Sequence, residues 1–272
     1  MNAEQRARAQ LFISLHKAQE ALVILNVWDA ASARIFELAG AKAIATTSGG
    51  LAMANGYPDG QKMPRAMLVA AVERITRVVS IPVSVDLEAG FGATASEAAE
   101  SVEAIAGAGA IGINIEDGSD SPALLAEKIA AIRSRFPRGE FFINARTDVY
   151  LRGLVEPPQR FDESIRRIRE YAAAGADGAF VPGIVDAETI GRFARELPLP
   201  LNVLVHPGMP SVGELHALGV ARVSIGGGCT YAAMSLARRV AEEILVHGTY
   251  QIMFAENRVN YGEANRMFSK IR

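Results

Sequence analysis

The sequence has little cysteine, little excess charge and no long apolar run, and each absence excludes a class of protein. Its 272 residues contain one cysteine, so no internal disulfide can form and a reduced, cytoplasmic setting is expected. The formal net charge is −2, without a clustered basic face, which argues against nucleic acid or an anionic membrane surface as a partner. No run approaches the roughly 18 apolar residues of a membrane span. The charged N-terminal segment also lacks the apolar stretch of a secretory signal.

Several catalytic motifs are missing as well. No G-x-G-x-x-G follows the first predicted strand, which argues against a dinucleotide-binding open sheet. No His/Cys cluster has zinc spacing, and no lysine stands at the C-terminal end of a predicted strand, which disfavours a Schiff-base aldolase. The composition, 50% hydrophobic and 21% charged, is that of a globular protein, and the length is near that of an eight-fold β/α barrel.

A short sequence phrase recurs four times, in which a helix ends in Ala-Gly or Leu-Gly and an apolar strand follows. Glycine supplies the left-handed residue that ends a helix, and a short continuous apolar run is typical of a buried parallel strand. The strict alternation predicts a single domain over 1–272 with a (β/α)8 TIM barrel fold, the alternative being an open doubly wound sheet. The eight predicted strands are 22–28, 43–48, 81–87, 111–116, 140–146, 178–182, 200–206 and 221–226.

The segments between the strands have the apolar spacing of helices. Clear examples are 64–79, 163–175 and 187–197. After the last strand, 229–246 and 255–270 also have helical patterns, and the second of these is surplus to a barrel. We therefore expect an additional C-terminal helix, within about residues 250–272, that packs on a neighbouring subunit.

Polar residues end most of the predicted strands. Catalytic groups of a barrel come from the C-terminal strand ends, and residues two apart face the same side. Burying one polar group without a partner costs about 1–3 kcal/mol, so the whole set indicates function better than structure. The inward-facing residues are predicted to be Asn26 and Trp28, Thr46 and Ser48, Asp86 and Glu88, Asn114 and Glu116, Asn144 and Arg146, Asn202 and His206, and Ser224.

The acidic members of this set indicate a metal site. Asp86, Glu88 and Glu116 come from adjacent strands and would repel one another without a hard cation, so Mg²⁺ (or Mn²⁺) is the expected cofactor. Arg146 can clamp an acid group, and "TTSGG" (46–50) offers backbone N–H groups in a glycine turn. These groups predict a small anionic carboxylate substrate, such as a 2-oxo acid held as its enolate. The glycines of "IGGGCT" (225–230) keep a phosphosugar substrate open.

Four segments resemble the isocitrate lyase/phosphoenolpyruvate mutase superfamily. They are "NVWDAASARIFELAGAKAIATTSGGLA", "VDLEAGFG", "GINIED" and "NARTD", in consistent order between about residues 24 and 228. The resemblance implies a Mg²⁺-dependent barrel that forms or cleaves C–C or P–C bonds of 2-oxo acids. It also implies a homotetramer, a dimer of dimers, in which a C-terminal helix is exchanged between subunits.

The resemblance also implies roles by position. Metal ligation falls to Asp86, Glu88 and Glu116, and catalysis to Asp59 and Arg146. His206 is the one local candidate for proton transfer, although it also suits a strand-end turn before Pro207. Substrate binding is implied for Trp28, Ser48, Gly49, Gly50, Asp86, Arg146 and Asn202.

One segment departs from the superfamily pattern. Lyases carry a Lys-Lys-Cys-Gly-His type loop after the fourth strand, and mutases carry a lysine and an asparagine there. Here "IEDGSDSPALLAEKI" (115–129) runs almost directly into a helix, without cysteine, and Lys128 comes too late to match. We therefore expect a Mg²⁺-dependent lyase acting on a small 2-oxo or 2-hydroxy dicarboxylate. The alternatives are P–C or phosphoryl chemistry, and a 2-oxo acid-binding protein without catalysis.

Overall fold

A closed barrel of eight parallel strands forms the centre of the protein. The computed structural model describes residues 1–255 and 259–269. Each strand pairs with its neighbours in chain order and the eighth pairs with the first, which confirms the predicted TIM barrel. The strands are β1 (Leu22–Val27), β2 (Ile44–Thr46), β3 (Val83–Asp86), β4 (Gly112–Glu116), β5 (Phe142–Arg146), β6 (Gly178–Phe180), β7 (Leu201–Leu204) and β8 (Arg222–Ser224).

Helices surround the barrel. They are α1 (Ala3–Leu15), α2 (Ala30–Leu38), α3 (Ser48–Ala54), α4 (Arg65–Val78), α5 (Ala95–Gly107), α6 (Pro122–Arg135), α7 (Val149–Arg152), α8 (Arg160–Ala174), α9 (Ala187–Glu196), α10 (Val212–Ala217), α11 (Gly228–Glu242) and α12 (Tyr261–Phe268). The local sequence determines where several of these helices begin. A Thr94–Glu97 capping box precedes α5, and the Ser121 hydroxyl caps α6 ahead of Pro122.

Aliphatic side chains between strands and helices make up the main core. In α4, Leu68, Val72 and Ile75 are buried at three- and four-residue spacing, so one face of the helix covers the sheet. Burying such a side chain contributes about 1.5–3 kcal/mol. No helix in residues 1–255 and 259–269 combines the length and apolarity needed to cross a membrane.

The N-terminal helix closes the bottom of the barrel, an arrangement that sequence patterning did not indicate. Gln5 of α1 donates from Nε2 to the carbonyl oxygens of Ala106 and Ala110, both at 2.7 Å. Phe12 meets Phe142 of β5 edge to face, and His16 stacks on the same ring at a centroid distance of 4.2 Å. Aromatic rings therefore fill this end of the barrel.

The tail differs from the prediction of one helix over 255–270. Glu243–His247 forms a π-helical turn and Ile252–Phe254 a 3₁₀ turn, and α12 starts only at Tyr261. The side chain of Asn260 accepts the backbone N–H of Glu263 at 3.0 Å, which sets this later start. Residues 256–258 and 270–272 of the predicted C-terminal helix lie outside the described residues.

Candidate active site

A layer of hydrogen-bonded polar side chains fills the middle of the barrel. Asn144 donates from Nδ2 to Asn114 Oδ1 at 2.9 Å, and Ser224 donates from Oγ to Asn202 Oδ1 at 3.1 Å. Asn26 Oδ1 accepts two backbone N–H groups of the β8 loop. This layer, which we call the polar floor, tethers strand ends to one another. It consists of Asn26, Asn114, Asn144, Asn202, Arg222 and Ser224.

Arg222 is the member of the polar floor that sequence reasoning missed. It is fully buried and donates from Nη2 to Asn114 Oδ1 and from Nε to Ser224 Oγ, each at 3.3 Å. Burial lowers its pKa to about 9, against the opposing charge of Asp86. The available signal was its position, because Arg222 stands two residues before Ser224 in β8 and therefore faces inward.

Asp86 lies above the polar floor at the mouth. Its Oδ2 accepts the backbone N–H of Ser48 at 3.3 Å, and its own backbone N–H donates to Thr46 Oγ1 at 2.9 Å. The other carboxylate oxygen, Oδ1, is buried without a hydrogen-bond partner among the described residues. Burial raises the pKa of Asp86, while Arg146 opposes the rise. A buried acidic oxygen of this kind is available to a cation.

The other two predicted metal ligands are also difficult to ionise. Burial raises the pKa of Glu88 to about 7, and the charges of Asp59 and Asp86 add to the rise. Burial likewise raises the pKa of Glu116 to about 8, with Arg146 opposing it and Asp86 adding to it. The backbone of Glu88 is left-handed, with φ of 50°, a conformation that a non-glycine residue adopts only at a cost.

Arg146 faces the acids from β5 and is held by two carboxylates. Its Nη1 lies 2.7 Å from Glu116 Oε2, while Nε and Nη2 contact the two oxygens of Asp148 at 2.6 and 3.1 Å. The guanidinium carbon lies 5.7 Å from the centre of the Phe180 ring. One N–H on each Nη atom is left over by these contacts, since a guanidinium has five donors. Arg146 can therefore bind an acid group while it stays anchored.

Sequence reasoning missed the two aspartates that hold this arrangement. Asp148 is fully buried and also accepts Nε of Arg152 at 2.8 Å. Asp117 takes four donors: Thr147 Oγ1, the backbone N–H of Asp148, Arg167 Nη1 and Tyr171 OH, at 2.7, 2.8, 3.0 and 2.7 Å. Both aspartates stand in the motifs "GINIED" and "NARTD", one or two residues after the inward pair, which was the available signal.

The Ser48–Gly50 segment opens a helix, so the prediction of a glycine turn was wrong. Ser48 is the first residue of α3, and the first N–H groups of a helix have no partner within it. A Cβ on Gly50 would lie 2.5 Å from Thr230 Oγ1 and 3.1 Å from Trp28 Cβ, so only glycine fits. A Cβ on Gly49 would lie 3.2 Å from Oδ2 of Asp59. Trp28 and Asp59 thus both border this segment.

Asn202 and His206 of strand seven have different positions. Asn202 lies in the polar floor, with Nδ2 buried and without a hydrogen-bond partner among the described residues. Strand β7 ends at Leu204, so His206 is in the exposed loop that follows, with its Nδ1 3.1 Å from the carbonyl oxygen of Pro207. The structure therefore brings Asn202, but not His206, into the interior of the barrel.

The residues present fit a hard divalent cation. Three carboxylates with raised pKa values and one orphaned carboxylate oxygen are stabilised by added positive charge. Within the described part of the chain, no three His, Cys, Asp or Glu side chains already converge as a metal site. Mg²⁺ commonly takes one or two carboxylates and completes its shell with waters and substrate oxygens, so three converged ligands are not required.

Comparison with known proteins places the chain in a family. A sequence model described as phosphoenolpyruvate phosphomutase matches residues 12–245. The chain belongs to this family. Its homologues lie in the isocitrate lyase/phosphoenolpyruvate mutase superfamily of lyases and mutases, which confirms the resemblance seen in the sequence.

Three relatives illustrate the range of the family. An uncharacterized protein of Mycobacterium tuberculosis strain H37Rv is 38% identical over 240 residues, 85% of this chain and 89% of the relative. Oxaloacetate decarboxylase of Bradyrhizobium sp. BTAi1 is 30% identical over 85% of this chain and 83% of that enzyme. A solved structure from Burkholderia cenocepacia J2315, provisionally classed as a lyase or mutase, has a TM-score of 0.89 at 35% identity over 98% of both chains.

Proposed function

We propose that the protein is a Mg²⁺-dependent lyase that acts on a small 2-oxo or 2-hydroxy dicarboxylate through an enolate. The observation that carries this proposal is the orphaned, buried Asp86 oxygen opposite the anchored Arg146. Asp86, Glu88 and Glu116 would hold the metal. When bound, Mg²⁺ would supply a positive charge that stabilises the developing enolate oxygen.

Within this proposal the protein's own residues bind and orient the substrate. The free N–H groups of Arg146 bind one carboxylate, and Asp148 and Phe180 fix the guanidinium plane. The unpartnered Nδ2 of Asn202 is a donor available from the polar floor. Trp28 borders the start of α3 and limits the space for the substrate on that side.

Among the reactions of this class, decarboxylation of a 3-carboxy-2-oxo acid needs the fewest acid and base groups from the protein. A retro-aldol cleavage needs a base for the substrate hydroxyl and an acid for the product carbanion. The short segment 117–121 leads directly into α6, and His206 lies in an exposed loop. Loss of CO₂ leaves an enolate that water can protonate. The oxaloacetate decarboxylase relative supports the same choice.

A substrate panel tests the proposal. Oxaloacetate, 2-methylisocitrate, isocitrate, phosphonopyruvate and phosphoenolpyruvate are each incubated with the protein and Mg²⁺ or Mn²⁺, and products are followed by NMR. We expect turnover of oxaloacetate or a related dicarboxylate, abolished by EDTA. Turnover of the phosphonate or the phosphate ester alone would replace the proposal with phosphomutase-type chemistry, which the matching family model favours. Binding without turnover would indicate a non-catalytic 2-oxo acid-binding protein.

The Asp86→Asn variant tests the metal site directly. The substitution keeps the shape but removes the charge, so Mg²⁺-dependent binding of oxalate should weaken by more than roughly 100-fold. Isothermal titration calorimetry measures this loss. Asp162→Asn, at an exposed position in the first turn of α8, is the matched control and should bind oxalate normally. Near-normal binding by Asp86→Asn would remove Asp86 from the metal site.

We also propose that the protein assembles as a homo-oligomer, a dimer of dimers. Within the chain, Thr230 is the only buried residue of α11, the helix that should cover the last barrel strand. A cavity of about 290 Å³ lies against β1, lined by Val23 and Leu25 among others. The exposed apolar side chains of α11 and the half-buried Val23 and Leu25 of β1 support a second copy as the missing cover.

A further inference from the structure

A basic cleft lies beside the candidate metal site. It has a volume of about 560 Å³ and is bordered by residues 61–65, by Ala89 and residues 91–93 after β3, and by Asp120 and Lys128. Three cations line it: Lys62, Arg65 and Lys128. We call this space the basic cleft. Its position matters because Lys62 and Phe91 also line a small space that contacts Asp86 and Glu88.

The three cations of the basic cleft are not held by direct ion pairs. Within residues 1–255 and 259–269, neither Lys62, Arg65 nor Lys128 forms an ion pair with a carboxylate. Arg65 contacts the Ser101 hydroxyl at 3.3 Å, and Lys128 donates from Nζ to the carbonyl oxygen of Ala89 at 2.8 Å. Asp120 is the single acidic residue in the lining, so the cleft is net positive.

Lys128 distinguishes the cleft from an ordinary solvated surface. Only 3% of its surface is exposed, although lysine is almost never fully buried without a pairing charge. Burial lowers the pKa of its ammonium group, and Asp120 and Glu97 oppose the shift. An anion in the cleft would add to the negative charge of Asp120 and Glu97 and further stabilise this buried ammonium.

The turn after β3 connects the cleft with the metal site. Glu88, Gly90 and Phe91 all have left-handed backbones, with φ of 50°, 107° and 51°. The turn is held by Lys128 at Ala89 and by a hydrogen bond of 2.7 Å from the backbone N–H of Phe91 to Gln61 Oε1. One face of this turn therefore carries Glu88 toward Asp86, while the neighbouring residues form a wall of the basic cleft.

We propose that the basic cleft binds an acidic group, carboxylate or phosphoryl, of a small anion. The segment 117–121 between β4 and α6 is short, and its Asp120 lies in the lining of the cleft. Two sources share this chemistry. One is the second acid group of the substrate, in which case the inference rests on the proposed function. The other is a separate anion bound next to the substrate.

Charge removal at the two exposed cations tests the proposal. The double variant Lys62→Met/Arg65→Met is compared with Lys17→Met/Arg74→Met, which removes the same charges at exposed positions outside the cleft. Calorimetry with Mg²⁺ measures the binding of oxalate, 2-oxoglutarate, tricarballylate and inorganic phosphate. We expect at least one of the last three to lose about five- to thirtyfold in affinity in the cleft variant alone. Oxalate, which is too short to leave the metal site, should be unaffected.

Competition with oxalate distinguishes the two possible sources of the acidic group in the cleft. If saturating oxalate prevents the anion from binding, the cleft holds the second acid group of the substrate. If the anion binds in the presence of oxalate, the cleft is a separate site, and both results support the proposal. It is overturned if wild-type protein binds none of the three larger anions, or if the cleft and control variants lose affinity equally. Failure of oxalate binding in the wild type would instead count against the proposed function, because oxalate does not reach the cleft.

Discussion

Individual residues of the site owe their chemistry to where the fold buries them. Asp86 and Glu88 are ordinary acids in the sequence, but burial raises the pKa values of both, and the charge of Asp59 adds to the rise. Arg146 lies opposite them with its plane fixed by Asp148. A bound metal ion would stabilise the ionised form of these buried acids. No single residue predicts such a site by itself.

At the same scale, His16 should make the stability of the protein depend on pH. Burial lowers the pKa of this histidine from 6.5 to about 3, and the nearby Arg222 adds to the shift. Between these pH values the unfolded chain binds more protons than the folded one, so stability falls as the pH is lowered below 6.5. The slope is at most about 1.4 kcal/mol per pH unit.

Urea denaturation of wild type and His16→Phe at pH 7.5, 6 and 5 measures this effect. The variant keeps a ring that can stack on Phe142, and its stability should change less over this range. His247→Gln, at an exposed histidine, is the control and should follow the wild type. Parallel pH curves for His16→Phe and wild type would show that His16 is not the group responsible.

At the scale of elements, the loops after β4 and β5 are locked together by Asp117. Its four donors come from the β5 loop and from α8, so one carboxylate sets the position of the loop that carries Asp148. Asp148 in turn orients Arg146. The orientation of the Arg146 guanidinium therefore also depends on the buried Asp117.

Asp117→Asn should destabilise the protein strongly and also impair the site. An amide cannot accept from four donors, and the substitution breaks the buried Asp117–Arg167 ion pair, which leaves Glu163 as the remaining carboxylate partner of Arg167. We expect a loss of about 3 kcal/mol. Tyr171→Phe removes one donor and should cost about 1 kcal/mol. Chemical denaturation compares the two variants. Equal effects would mean that the carboxylate is not the centre of this network.

At the scale of the whole molecule, the barrel is filled at one end and incompletely covered on one side. Phe12, His16 and Phe142 fill the N-terminal end of the barrel. Leu245 and Val246, just after α11, are 84% and 73% exposed in the single chain. Apolar side chains this exposed favour contact with another copy.

Replacing these two residues should weaken the oligomer. Leu245→Glu/Val246→Glu places charge on the apolar segment, so sedimentation analysis should show a smaller species than the wild type at the same concentration. Arg238→Ala, on the same helical segment and already exposed, is the control and should sediment like the wild type. A wild-type protein that is monomeric at micromolar concentration would contradict the proposed assembly.

Sequence alone was enough to determine the alternation of eight strands and helices and the parity that points Asp86, Glu116 and Arg146 to one end of the barrel. Both follow from local periodicity, which the chain carries without tertiary contacts. Other features depended on which distant segments meet, and a single-sequence pattern does not contain that information. Only the tertiary structure could show the buried Arg222, the anchoring of Arg146 by Asp148, the displacement of His206 into an exposed loop and the burial of Lys128 against Ala89.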